Sequence, residues 1–268
     1  MKTPANFTAI SAASLLLFAA SSANGAIVFT DTFDTGTGNW YRYGTTGTLT
    51  NTDEQLSWSR ADTGPREAIG RSFATQTIGI GESIRMSFDF TQSAGTSGSG
   101  NIIRAGFYNV GTPIAADNWG VGNNIGAWSG YYTFIRDNSN SGNIARQHSA
   151  TSTSGGSGPS EAGTTITDPS NTTQFDIVNG VTYQGVFEVF RTSATEMTTL
   201  FTLSSGATTH FSVQGITSAV QSDFNTVVFR TSVTSAQLFD NIQVSVIPEP
   251  STALLGAFGM LALLRRRR

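Results

Sequence analysis

The densest group of side chains able to meet a ligand lies between Asn118 and Tyr132 (NWGVGNNIGAWSGYY), where Trp119, Trp128, Tyr131 and Tyr132 stand among Gly and Asn. A Gly-rich backbone can leave aromatic faces open. Such faces take the CH side of a sugar ring, while Asn118, Asn123 and Asn124 would bond its hydroxyls. The plainer reading is that the four rings seal one end of a hydrophobic core, and Trp40 and Trp58 read as core. A second constellation is ionic. By a period of two, Leu238, Ile242, Val244 and Val246 share one strand face, and Asp240 falls on that same face. A carboxylate buried there needs a partner, because an unpaired buried charge is too costly. One option is Ca²⁺ held with Asp31 or Asp34 and backbone carbonyls, since hard oxygen ligands suit that ion. The other, better supported by residue type, is a turn cap or a pairing with Arg.

Catalysis finds less support. Glycan hydrolysis needs two carboxylates about 5 to 10 Å apart across a cleft, and the pairs Glu188 with Glu196 and Asp89 with Glu82 fall on strand faces or turns. There is no Glu-x-Asp-x-x-Glu strand, G-x-S-x-G elbow, HExxH helix or Gly-rich phosphate loop. His148 and His210 have no recognisable partner in the sequence, and the chain has no Cys. The expectation is a protein that is not an enzyme. A hydrolase or lyase on the same scaffold would require a carboxylate pair, or an Arg and Tyr pair, lining the concave sheet.

The elements that must position these residues are strands. Ser83–Thr91 (SIRMSFDFT) puts Ile84, Met86, Phe88 and Phe90 on one face and Arg85, Ser87, Asp89 and Thr91 on the other. Similar runs fall at 27–33, 55–60, 102–108, 131–136, 181–191, 197–203, 225–231 and 236–246. Gly at 29 of 268 residues, abundant Ser and Thr, and 18 Phe without a sustained 3.6 period predict an all-β, antiparallel sandwich in one domain. Ser93–Gly100 reads as a hairpin loop, and Ser149–Thr165 as a long polar surface excursion.

Charge narrows the partners. Between Ala26 and Ile247 there is no Lys, and ten Arg face seventeen Asp plus Glu, a formal charge of −7. Nucleic acid is not an expected partner, because backbone recognition needs clustered cations. With no disulfides available, stability must come from core burial or bound ions.

Both ends read as addresses. Residues 1–25 carry Lys2, the apolar run Ala9–Ala20 and small residues through Gly25, a secretory signal peptide. Residues 248–268 carry Pro248-Glu249-Pro250, an apolar run to Leu264, and Arg265, Arg266, Arg267 and Arg268. Two prolines bar regular structure upstream, so a helix can begin near Ser251. Fourteen residues make about 21 Å of helix, short of the roughly 30 Å hydrocarbon core, a gap that Arg snorkelling or bilayer thinning must cover. The Arg cluster sets that end on the cytoplasmic side.

The order Pro-Glu-Pro, apolar helix and Arg cluster resembles the PEP-CTERM sorting signal. The resemblance implies cleavage near that element by a membrane-embedded exosortase, transient anchoring in the inner membrane, and delivery to the surface or exopolysaccharide matrix of a Gram-negative bacterium. Asp31-Thr32-Phe33-Asp34 with Asn39-Trp40, and Leu238–Val244 at the other end of residues 26–247, resemble the first and last strands of concanavalin-A-like or laminin-G-like jelly rolls. That resemblance implies that the two strands pair in one sheet. The combined expectation is a non-enzymatic matrix or surface protein that binds exopolysaccharide, or one that is purely structural.

Overall fold

The computed structural model describes residues 25–43, 47–59, 68–93, 101–119, 126–138, 142–152, 164–166, 175–231 and 236–248. Residues 1–24, Asn123, Asn124, Glu249, Pro250, the C-terminal apolar run and the four terminal Arg lie outside the described residues. Among the described residues no helix is long and apolar enough to cross a membrane.

Gly25–Glu249 forms one compact unit of two antiparallel sheets. The first contains β1 (Ala26–Asp31), β3 (Thr48–Thr52), β4 (Gln55–Ser59), β6 (Ser83–Gln92), β11 (Thr182–Arg191), β12 (Met197–Ser205), β13 (Thr208–Thr217) and β15 (Gln237–Ile247). Its order is β13-β12-β11-β6-β15-β4-β3, with β1 also beside β15. The second has the order β10-β9-β8-β7-β14-β5-β2. It uses β2 (Tyr41–Arg42), β5 (Ala68–Thr77), β7 (Asn101–Val110), β8 (Trp128–Asn138), β9 (Gly142–Ser152), β10 (Thr164–Thr165) and β14 (Asp223–Arg230).

Alternation along β6 drives the packing as its sequence predicts: Ile84, Met86, Phe88 and Phe90 are all buried. They face the inner side of the second sheet, where Phe229 meets Phe88 at 5.0 Å and Phe239 of β15 at 4.6 Å, while Phe107 stacks on Phe187 at 6.0 Å. Trp40 and Trp58 join this core. The first and last strands pair as the jelly-roll resemblance implies, from Ala26 opposite Val246 to Asp31 opposite Ile242.

Three expectations are corrected. Ser93–Gly100 does not close a hairpin, because β6 and β7 lie in different sheets. Ser149–Ser152 continues β9 opposite β8 instead of opening a surface loop, and Thr164–Thr165 pairs back with Ser149 and His148. On β15 the buried face is Gln237 and Phe239, then Ile242 and Val244. The phase slips at a β-bulge between Asp240 and Gln243, where Asn241 adopts φ 48°. A bulge places two residues opposite one and reverses the alternation beyond it, so Asp240 lies with Leu238 on the outer face.

Candidate functional site

A second hydrophobic cluster occupies the outer face of the seven-stranded sheet: Tyr43, Ala68, Tyr108, Val110, Ile114, Trp119, Trp128, Tyr132, Phe134 and Val228. Strand β14 is consequently buried on both faces from Phe224 to Arg230. Trp119, Trp128, Tyr131 and Tyr132 are 4, 3, 1 and 3% exposed, so the expectation of open aromatic platforms is corrected. Tyr131 points into the sandwich core, where its hydroxyl donates to the Ala219 carbonyl and accepts from the Gln221 N–H at 2.8 Å. Burial pushes its pKa up to about 12. The other three rings sit on the outer face.

Trp119 reaches that face through a short segment whose anchors are polar. Asp117 accepts from the Arg42 guanidinium at 3.0 and 3.2 Å, Asn118 (φ 63°) donates its N–H to the Arg42 carbonyl at 2.8 Å, and Trp119 Nε1 donates to the Tyr41 carbonyl at 3.0 Å. Asn118 is thus a turn residue, one of the few types that tolerate positive φ. The segment lies close over β5: a Cβ on Gly70 would come within 2.6 Å of Ile114 and 3.1 Å of Trp119.

Beyond the aromatic cover the ladder brings Arg positions into one row. Register partners run Ala68, Arg230, Arg104, Phe134, Arg146 across five strands, and the next row runs Gly70, Val228, Gly106, Tyr132, His148. The Arg104 guanidinium lies 5.5 Å from the centroids of both Tyr132 and Phe134, within cation–π range. Burial raises the Tyr132 pKa; the positive charges of Arg104 and Arg230 oppose that shift without overcoming it. Tyr132 therefore keeps its proton at neutral pH. Like charges directly opposite across a ladder are unfavourable, yet Arg104 and Arg230 face each other in a domain of formal charge −7. Arg230 is 8% exposed and Arg104 half-buried. Sequence reasoning missed this row because its members are far apart in the chain, and only the β7–β14 pairing joins them.

The three carboxylates of the Ca²⁺ expectation each have protein donors. Asp31 accepts from Trp40 Nε1 at 2.7 Å and pairs through the same oxygen with Arg71, which also lies 4.0 Å over the Phe29 ring. Its charge is already answered, and it fixes Trp40 in the core. Asp34 accepts from the Thr32 hydroxyl at 2.7 Å, and Asp240 from the Asn241 N–H at 2.7 Å. Among the described residues no group of three or more His, Cys, Asp or Glu is arranged to hold a metal ion. The carboxylates considered for hydrolysis are engaged locally. Glu188 accepts from Ser83 at 2.6 Å, Glu196 from Thr192 at 2.9 Å, Glu82 from the Gly79 N–H at 2.7 Å, and Asp89 from Asn241 at 2.8 Å. His210 does have partners: its Nε2 lies 2.7 Å from the Ser205 hydroxyl, and its ring stacks on Phe175.

No protein-family model and no curated protein matches the chain. Solved structures do. A double mutant of alginate lyase Aly36B in complex with alginate trisaccharide is 12% identical, covering 82% of this chain and 98% of its own, at a TM-score of 0.50. Winged bean acidic lectin complexed with methyl-α-D-galactose is 11% identical, covering 82% and 97%, at 0.49. At these identities the alginate lyase likeness shows the fold alone, a jelly-roll sandwich.

Proposed function

We propose that the chain is an exported, non-enzymatic surface or matrix protein, sorted by an exosortase through Pro248–Arg268, whose sandwich binds an acidic polysaccharide. The observation that carries the glycan reading is the row in which Arg230 and Arg104 are register partners on the outer face, with Arg104 lying over Tyr132 and Phe134. Guanidinium groups recognise carboxylates by paired hydrogen bonds, and the buried rings of Tyr132 and Phe134 hold the Arg104 guanidinium beside them. Uronate-rich glycans carry such carboxylates, and the alginate lyase neighbour is in complex with an alginate trisaccharide. The exosortase reading rests on the sequence of the tail alone.

The test is binding of the full chain to an immobilised polyuronate and to a neutral glucan at rising ionic strength. Polyuronate binding weakens with salt, as screened charge pairs do. Arg104→Gln lowers polyuronate affinity at least tenfold, about 1.4 kcal/mol, with its melting temperature near that of the parent chain. Equal, salt-independent retention of neutral glucan would overturn the reading.

A lyase is the second reading, because an Arg and Tyr pair is present on this face, with His148 opposite Tyr132 in register. Elimination needs a base at the uronate C5 position, and Tyr132, whose pKa burial raises, is a poor one at neutral pH. Ultraviolet absorbance from an unsaturated uronate, generated by the wild-type chain and lost in Tyr132→Phe, would favour the lyase over the binding protein.

A further inference from the structure

Five large aliphatic side chains among the described residues are exposed: Ile27, Ile80, Val178, Ile216 and Val220. All except Val178 lie at one end of the sandwich, as the ladder registers establish. Ile247, Ser83, Phe190, Thr198 and Ile216 are successive partners across β15, β6, β11, β12 and β13. Ile27 pairs with Ser245, two residues before the end of β15. Ile80 is in the turn before β6, where the Gly81 N–H donates to the Arg191 carbonyl at 2.7 Å. Val220 is in the β13–β14 connection, where Ser222 accepts from the Ile78 N–H at 2.9 Å.

Ile216 and Ile27 are 56% and 63% exposed on the outer face of the eight-stranded sheet. Towards the other end the same face turns polar, through the rows Gln243, Ser87, Val186, Thr202, Ser212 and then Asp89, Gln184, Ser204. Scattered single aliphatics need no explanation, but a group at one end does.

That end is also where the chain leaves the domain, at Ile247–Pro248. Only Pro248–Ser251 separates β15 from the apolar run Thr252–Leu264. Four fully extended residues span about 14 Å at most. With the apolar run in a bilayer, the end of β15 is held within that distance of the lipid, and the exposed isoleucines share that end.

We infer that this end of the sandwich is a membrane-docking surface. Ile27, Ile80, Ile216 and Val220 enter the headgroup boundary of the bilayer that holds the tail, and exposed Arg85, in the row beside Ile247, meets anionic headgroups. The inference rests on the reading of residues 251–264 as membrane-inserted.

The absence of Cys allows clean single-site labelling. Nitroxides are placed at Ile216→Cys, Val178→Cys and Leu255→Cys of the full chain, in nanodiscs of phosphatidylethanolamine and phosphatidylglycerol. Accessibility to a water-soluble nickel reagent is then measured. The docking surface predicts that Ile216 is shielded several-fold relative to Val178, in the direction of Leu255. If Leu255 is shielded while Ile216 matches Val178, docking is overturned and the tail reading stands. If Leu255 is open to nickel, the tail reading fails and docking fails with it. Spin–spin broadening at Ile216 would assign the patch to a second copy of the chain and overturn the lipid proposal.

Discussion

Asp240 shows how one backbone angle reassigns a side chain. Its neighbours alternate correctly on either side of Asn241, and the φ of 48° at Asn241 turns Asp240 from the core face to the outer one. Partial desolvation there raises its pKa; the Asn241 N–H opposes this, and Asp89, Asp34 and Glu54 add to it. A carboxyl with a raised folded pKa binds its proton more tightly in the native state. It therefore favours folding at low pH, and stability falls as pH rises through the window just above the ordinary carboxylate range. Asp240→Asn keeps the acceptor for the Asn241 N–H and removes the charge. Thermal melts should show the variant more stable than the parent at pH 7 and indistinguishable at about pH 3. An equal shift at both values would tie the effect to packing instead. Nothing in the residue types around Asp240 reveals the bulge, which is why a strict period of two misplaces it.

At the scale of elements, strong alternation was legible and weak alternation was not. Strand β6 and the Phe-bearing run of β11 are evident because one face carries almost no polar side chain. Strand β5 begins with Ala68, Ile69 and Gly70 buried together, so it has no alternating start. β13 (TTHFSVQGIT) puts Gly215 on its buried face, and β9 (GNIARQHSATS) carries few apolar residues to reveal it.

The joint between β14 and β7 depends on a side chain that no pattern exposes. Beside the bulge at Phe224–Thr226, the Asn225 amide accepts from the Val110 N–H and donates to the Val110 carbonyl, both at 2.9 Å, in place of ladder bonds. Asn225→Ala leaves both Val110 groups without these partners in a buried site. Denaturant unfolding should show a loss of about 2 to 3 kcal/mol. A loss under about 0.5 kcal/mol, the range of an ordinary surface change, would mean that the pair does not support the ladder.

Over the whole molecule, two faces acquire opposite chemistry and opposite placement. The basic row uses Arg230 at the end of β14 and Ala68 at the start of β5, whereas the aliphatic end lies where β5 finishes and β6 begins. The Arg104 row and the exposed aliphatics thus lie towards opposite ends of the sandwich. The sandwich and its closing strand pair could be read from the sequence. The site could not, since the aromatic stretch that suggested it folds inward and the Arg residues that compose it converge only through strand pairing.

The central claim is that acidic glycan lies on the outer face of the seven-stranded sheet. Amide hydrogen exchange of the full chain, with and without an oligouronate, tests it most directly. The account predicts slower exchange at β7, β8 and the end of β14, with β12 and β13 unchanged. Protection confined to β12, β13 or the aliphatic end, or none at saturating oligouronate, would contradict it.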